Sequence, residues 1–313
     1  MELRPTDADA VLDLAVIVPC FNVESTLGAQ LDALTSQTWL RPWGIIVVDN
    51  ASTDGTRAVA EAYRDRGVRV VSATAGQGVA YARNAGVRSS QARSVAFCDG
   101  DDVVHAGWVA AMGESLTTSP LVSGALETQT LNPAWLAHTR PMGTGVGPPA
   151  FGTIRFASGC NSGMTREVFD LMGGFDESFR GLEDIELSLR AAAEGIVVTY
   201  VPDAVVAYRL RDAVKDVWRQ GVFYGRGRPE LKRRARDLGL TPPGVQESLK
   251  SWAWLAAHLP GLRDRSGRYR SLWVLANRVG VLHGNLDVIR ARRDTTDHPQ
   301  GAGLGHDPVR GEP

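Results

Sequence analysis

Three carboxylates in four residues, Asp99-Gly100-Asp101-Asp102, follow directly on the apolar run SVAFC at 94–98. Neighbouring negative charges repel one another unless a cation or hydrogen-bond donors neutralise them. A hard divalent metal, Mn²⁺ or Mg²⁺, meets that need, and an ion held by one or two carboxylates completes its shell with water and substrate phosphates. The cluster therefore points to a nucleoside diphosphate. A plain acidic turn, with Asp102 capping the next helix, is the competing reading, and both can hold at once. A further carboxylate, Asp49, closes the apolar run IIVVD and opens NASTDGT. It either steadies that turn together with Asp54 through backbone hydrogen bonds or accepts from a base or ribose group.

These residues need a scaffold that brings strand ends together. Short β-branched runs alternate with helix-period segments through the first two hundred residues, the pattern of βαβ units around a mostly parallel sheet. Strands are expected at 14–18, 45–49, 68–72 and 94–99, and helices after Ser25, near 55–66 and at 78–89. Parallel sheets bind ligands at the carboxyl ends of their strands, where Asp49 and Asp99 stand. LVSGALE at 121–127 reads as another strand, PMGTGVGPP at 141–149 as a loop, and ASGCNSGM at 157–164 as a small-residue stretch. Helices are expected near 165–172 and from about Asp184 to Glu194, then two strands, VVTYV (197–201) and AVVAY (204–208). Beyond them the pattern is helical, at 226–236, 251–259 and 271–292.

Composition narrows the class. A chain of 313 residues, 43% hydrophobic with 34 glycines, is too large and apolar for a disordered chain or a small disulfide scaffold. Cys20, Cys98 and Cys160 are an odd number without zinc spacing, which suits a reducing, cytoplasmic compartment. Neither a secretory h-region nor a run of about 20 apolar residues is visible. Charge divides the chain: residues 1–204 carry 14 Lys+Arg against 24 Asp+Glu, residues 205–293 carry 19 against 7, and residues 294–313 carry 1 against 4. This suggests an acidic domain at 1–204, a basic helical region at 205–293 and a disordered tail at 294–313. The basic region, with six basic residues in RGRPELKRRAR and with Trp252, Trp254 and Trp273, is expected to contact an anionic inner membrane face, to form a homodimer, or to be a solvated helical face. Nucleic acid is not expected, because the acidic body would repel it.

The chain resembles the family-2 glycosyltransferases. The resemblance rests on IVPCFN (17–22), VVDNASTDGT (47–56), GVAYARNAG (78–86), FCDGDD (97–102) and GLEDIELSLR (181–190), in the family's order over about residues 13–211. It implies a GT-A fold, a Rossmann-like α/β architecture with a mostly parallel sheet flanked by helices, here with a C-terminal helical appendage. It further implies an inverting, metal-dependent transfer from a nucleotide-sugar donor to a saccharide or lipid-linked acceptor. On that likeness Pro19, Phe21 and Asn22 line the nucleobase pocket and Asp49 bonds the base. Arg83 lies near the base and phosphates, Asp99 and Gly100 near the ribose, and Asp101 on the metal. Gly159, Cys160 and Asn161 floor the donor sugar and acceptor beside Glu183, and Asp184 is the general base. A sugar hydroxyl is a poor nucleophile near neutral pH, so transfer needs such a base, and a helix start favours the ionised carboxylate. Simple capping by Glu183 or Asp184 is the alternative. Many relatives carry a histidine where this chain has Tyr208 or Arg209, with Arg211 close by to neutralise phosphate.

Two enzyme classes fit less well. A dinucleotide-binding dehydrogenase needs G-x-G-x-x-G after its first strand, and PCFNVES has no glycine. Sugar nucleotidyltransferases show a glycine-rich basic loop there, also absent. A non-catalytic nucleotide-sugar-binding scaffold of the same fold remains as an alternative. A UDP-sugar is the default donor expectation, with dTDP-rhamnose second.

Overall fold

The computed structural model describes residues 11–140, 147–179 and 181–297. The chain begins β1 Leu14–Cys20, α1 Glu24–Thr35, β2 Trp43–Asp49, α2 Thr56–Glu61, β3 Val68–Ser72, α3 Val79–Arg88 and β4 Ser94–Cys98. It continues β5 Val103–Val104, α4 Trp108–Ser115, β6 Leu121–Glu127, α5 Ala134–Ala137, β7 Ala150–Phe151 and β8 Ile154–Arg155. Then follow β9 Asn161–Thr165, α6 Arg166–Leu171, α7 Glu183–Ala193, β10 Thr199–Ala207, α8 Val214–Asp237, α9 Val245–Ala257 and α10 Arg265–Asp297.

An eight-stranded sheet in the order β3-β2-β1-β4-β9-β6-β10-β5 forms the centre. β1 pairs in parallel with β2 and β4 and is buried along its whole length, as a strand covered on both faces must be. Its side chains alternate: Leu14, Val16 and Val18 join Leu27 and Leu31 of α1, while Ala15 and Ile17 join Ala80 and Val87 of α3. The carboxyl ends of β1, β2 and β4 consequently deliver Cys20, Asp49 and Asp99 to one edge of the sheet.

Three sequence expectations change. The second half of ASGCNSGM is not irregular but is β9, antiparallel to both β4 and β6. Small residues suit this place because a Cβ on Gly163 would lie 3.1 Å from Val95 O, leaving no room for a larger side chain. VVTYV and AVVAY form one strand, β10, whose pairing register with β6 shifts between Val201 and Val205. Pro202, which has no N–H to offer the ladder, lies at that irregularity. The charge boundary after Ala204 thus falls inside β10, and the helical region starts with α8. α10 extends through residues 294–297 of the expected tail; the remainder of the tail, and 141–146 of the Gly/Pro loop, lie outside the described residues.

α8 binds the helical region to the sheet domain. A Cβ on Gly225 would run into Asn277 O, and one on Gly280 into Val222 O, so glycines allow α8 and α10 to meet backbone to backbone. Against α7, the wholly buried Glu186 accepts from Arg190 at 2.9 and 2.7 Å and from Arg234 of α8 at 3.0 Å. Removing one partner of a buried ion pair strands the others, so Glu186→Ala is expected to lower stability by about 3 kcal/mol, read from urea denaturation. A loss under about 0.5 kcal/mol, the scale of an exposed pair, contradicts the clamp. Three of the six basic residues of RGRPELKRRAR are paired with carboxylates of the same chain: Arg226 with Asp287, Arg233 with Glu230 and Asp237, and Arg234 with Glu186 and Asp176.

Candidate active site

The acidic turn after β4 is held from below. Gln30 of α1 donates to Asp99 O at 3.0 Å, and a Cβ on Gly100 would sit 2.9 Å from Cys20 Sγ, so glycine is required for the turn to rest on β1. Asp102 turns inward and is buried. It caps no helix. Its Oδ1 accepts from Arg209 N–H at 2.8 Å, while its Oδ2 is buried without a hydrogen-bond partner among the described residues. Burial, with Asp101 and Asp99 adding like charge, pushes the Asp102 carboxyl well above the ordinary carboxylate range. An orphaned carboxylate oxygen in a like-charged turn is costly unless a cation neutralises it.

Donor atoms of Asp99, Asp102 and Cys160 lie within 4.8 Å of one another. The two carboxylates fit Mn²⁺ or Mg²⁺. Cys160 does not complete the set, because burial pushes its thiol well up and holds it protonated, and sulfur is a soft donor. Asp101, the expected ligand, is turned away onto Arg211 at 2.8 Å, and its carbonyl accepts from Arg209 Nε at 2.8 Å.

Arg83 is neither a surface arginine nor open to a ligand. It lies buried between strand end and helix start, donating to Asp99 Oδ1 at 3.1 Å and Glu183 Oε1 at 2.6 Å. The paired carboxylates outweigh its burial and raise its pKa. Glu183, placed by sequence beside the sugar, is thereby a buried partner of Arg83 and takes up no position facing a ligand. Asn161 is also reassigned. Its side chain is fully used, accepting from Trp108 at 2.8 Å and donating to Ala125 O and Ala204 O at 2.7 and 2.9 Å, so it ties β9 into the sheet and has no group for a sugar.

Asp184 occupies the first turn of α7, entered through Gly181 (φ 78°) and Leu182 (φ 64°). A left-handed non-glycine residue stores strain, and α8 presses on this turn, since a Cβ on Gly181 would strike Phe223. The Asp184 carboxylate accepts from Gly159 N–H and Ile185 N–H, each at 2.8 Å. Burial nevertheless raises its pKa, against these N–H donors and Arg83, so the helix start does not dominate as the sequence suggested. Residues 159–160 link both chemistries: Gly159 touches Asp184, and Cys160 adjoins Asp99 and Asp102.

At the end of β1, Phe21 is 57% exposed beyond the strand, Pro19 is buried within it, and Asn22 (φ 53°) accepts from Thr53 N–H at 2.8 Å. Asp49 Oδ1 accepts from Ser52 N–H at 3.1 Å, so its turn-steadying role is real. Two residues not singled out by the sequence pattern, Tyr224 and Arg140, border the site together with Trp273, which the sequence pattern assigned to the basic helical region. Burial, then the charge of Asp184, raises the Tyr224 pKa, which sets this α8 residue beside the α7 start. Arg140 lies 3.6 Å over the Trp273 ring and donates to Gln220 at 3.2 Å, with no carboxylate partner among the described residues. Aromatic residues interleaved with glycine in GVFYGRG are a signal that could have pointed to Tyr224.

The profile of Glycosyl transferase family 2 matches residues 15–173, half of the chain. The protein belongs to this family. It is a glycosyltransferase that uses nucleotide-sugar donors, built on a Rossmann-like GT-A core with a C-terminal helical extension. Among curated relatives of this glycosyltransferase, the Escherichia coli UDP-Glc:alpha-D-GlcNAc-diphosphoundecaprenol beta-1,3-glucosyltransferase WfgD is 26% identical over 178 residues, 56% of this chain and 68% of that protein. The pre-mycofactocin glycosyltransferase of Mycobacterium tuberculosis is 27% identical over 288 residues, 86% of this chain and 57% of that protein. In structure, the mannosyltransferase PcManGT from Pyrobaculum calidifontis, in complex with GDP-Man and Mn2+, aligns with a TM-score of 0.65 and 21% identity, covering 90% of this chain and 89% of that one.

Proposed function

We propose that the protein is a metal-dependent inverting transferase that moves a hexosyl or deoxyhexosyl group from a UDP- or dTDP-sugar to a hydroxyl of a saccharide or lipid-linked acceptor, in cell-surface polysaccharide or glycolipid synthesis. The observation that carries this reading is the linkage through Gly159 and Cys160, which sets the half-buried Asp184 carboxylate next to the Asp99 and Asp102 pair. Asp184 takes the acceptor hydroxyl proton as that oxygen bonds to the sugar C1. The bond from C1 to the donor phosphate oxygen breaks, and its electron pair leaves with the nucleoside diphosphate. Asp99 and Asp102 would hold Mn²⁺ or Mg²⁺, which when bound supplies positive charge for the departing diphosphate. Arg83 keeps the two acidic motifs at a set separation by pairing with both. Phe21 and Asp49 stand where a nucleobase would meet the first two strand ends.

The acceptor reading draws on two features. The E. coli relative is named for a diphosphoundecaprenol-linked acceptor, and Arg140 offers, on the α8 and α10 wall, a cation with no carboxylate partner among the described residues. A charged hydrogen bond contributes about 1.5–3 kcal/mol. Arg140→Gln is therefore expected to raise KM for a diphosphate-linked sugar acceptor by about tenfold and to leave UDP affinity unchanged; an unaltered KM removes Arg140 from acceptor binding.

Donor hydrolysis tests the whole reading. Incubated with Mn²⁺ and a panel of UDP-, dTDP- and GDP-sugars, the protein is expected to release nucleoside diphosphate slowly from one donor. Binding without any turnover, with acceptor present or absent, would favour the non-catalytic scaffold.

A further inference from the structure

α10 is apolar on the side turned away from the protein. Ala276, Gly280 and Gly284 form its inner face against α8. At 100° per residue the opposite side carries Leu275, Leu282, Leu286 and Ile289, which are 38, 54, 51 and 48% exposed. Successive gaps of seven, four and three positions keep these four on one stripe. α9 lies alongside, with Arg278 of α10 donating to Ser248 at 3.1 Å, and leaves Leu249 and Trp252 exposed as well. Trp254 and Trp273, by contrast, are taken up by stacking on His258 and by Tyr224 and Arg140.

Charge decides between the occupants of such a stripe. Arg290 stands exposed at its margin and Lys250 is exposed on α9, whereas Asp287, the acid among the described side chains of α10, is paired with Arg226 of α8 at 2.6 Å. Two copies meeting through this seam would set basic margins against each other, and like charges at those positions disfavour helix pairing. An anionic surface complements them. Apolar side chains on one face with basic side chains at the edge are the composition of a helix lying in a membrane interface. No helix among the described residues is long and apolar enough to cross a membrane. We propose that the outer face of α9 and α10 docks on an anionic lipid bilayer, with Leu282 and Leu286 in the interface and Lys250 and Arg290 on the headgroups. The basic run of α8 is the weaker candidate, because Arg226, Arg233 and Arg234 are already paired with carboxylates.

Co-sedimentation of the full chain with vesicles tests this without depending on donor or acceptor identity. The protein is expected to bind vesicles of phosphatidylcholine mixed with phosphatidylglycerol, to bind phosphatidylcholine alone at least tenfold more weakly, and to be released by salt. Leu282→Glu with Leu286→Glu should abolish binding, and Lys250→Glu or Arg290→Glu should weaken it about fivefold each. Urea denaturation checks that each variant is folded. Equal binding to both vesicle types, binding to neither, or wild-type binding by folded Leu282→Glu/Leu286→Glu overturns the proposal. A dimer seen by sedimentation velocity and dissolved by the leucine variants, with no vesicle binding, would assign the face to a second copy. Loss of donor hydrolysis would leave this result untouched.

Discussion

Asp184→Asn is expected to lower transfer by about 10² to 10⁴, the range for a lost general base, or about 3–5 kcal/mol of barrier. The wild-type carboxylate accepts Gly159 N–H on one oxygen and Ile185 N–H on the other. Asparagine retains one acceptor and sets its NH₂ against the second N–H, so a small local cost accompanies the loss of basicity. UDP affinity in Mn²⁺ is the control and should stay within a few-fold of wild type. A pH profile separates chemistry from distortion. Because burial holds the Asp184 pKa above the usual carboxylate range, and the base acts only when ionised, wild-type transfer should fall as pH drops through that raised value. Residual activity in the variant should lack this limb. Turnover within a few-fold of wild type would take Asp184 out of the proton transfer. Glu183 could not replace it while bound to Arg83.

Asp102→Asn should weaken UDP binding in Mn²⁺ by about 10² or more, since loss of a metal carboxylate costs several kcal/mol of charge stabilisation. Asparagine can still accept Arg209 N–H, so the turn keeps its anchor. The same substitution removes a buried charge crowded by Asp101 and Asp99, and the metal-free protein should melt at a higher temperature. Calorimetry with and without Mn²⁺, beside melting curves in chelator, gives both readings. Asp101→Asn tests the rival ligand. If it abolishes metal-dependent UDP affinity while Asp102→Asn does not, the ion sits at Asp101 and Arg211 must swing away from it.

Much of this molecule was legible from its residues. β1, β2 and β4 are buried on both faces, so their apolar runs stand out and their ends mark where Asp49 and Asp99 must emerge. Glu183-Asp184 at a helix start was equally readable, and so were the five motifs in order. β9 was not, because Asn161-Ser162-Gly163 carries no apolar alternation; it is a strand only because β4 and β6 close on either side of it.

The sequence by itself determined which acids and strand ends are available and in what order they come. Their partners were decided by tertiary structure. Arg83 meets a carboxylate one hundred positions away, Asp101 an arginine 110 positions away, and Asp102 is left with an oxygen that nothing among the described residues satisfies. The charge step after Ala204 likewise recorded an excess of arginine without showing that Arg226 and Arg234 of α8 are paired with Asp287, Asp176 and Glu186. Residue type and local spacing report burial along one element. Whether a charge is paired, orphaned or exposed depends on segments brought together from far apart, and no local pattern contains that information.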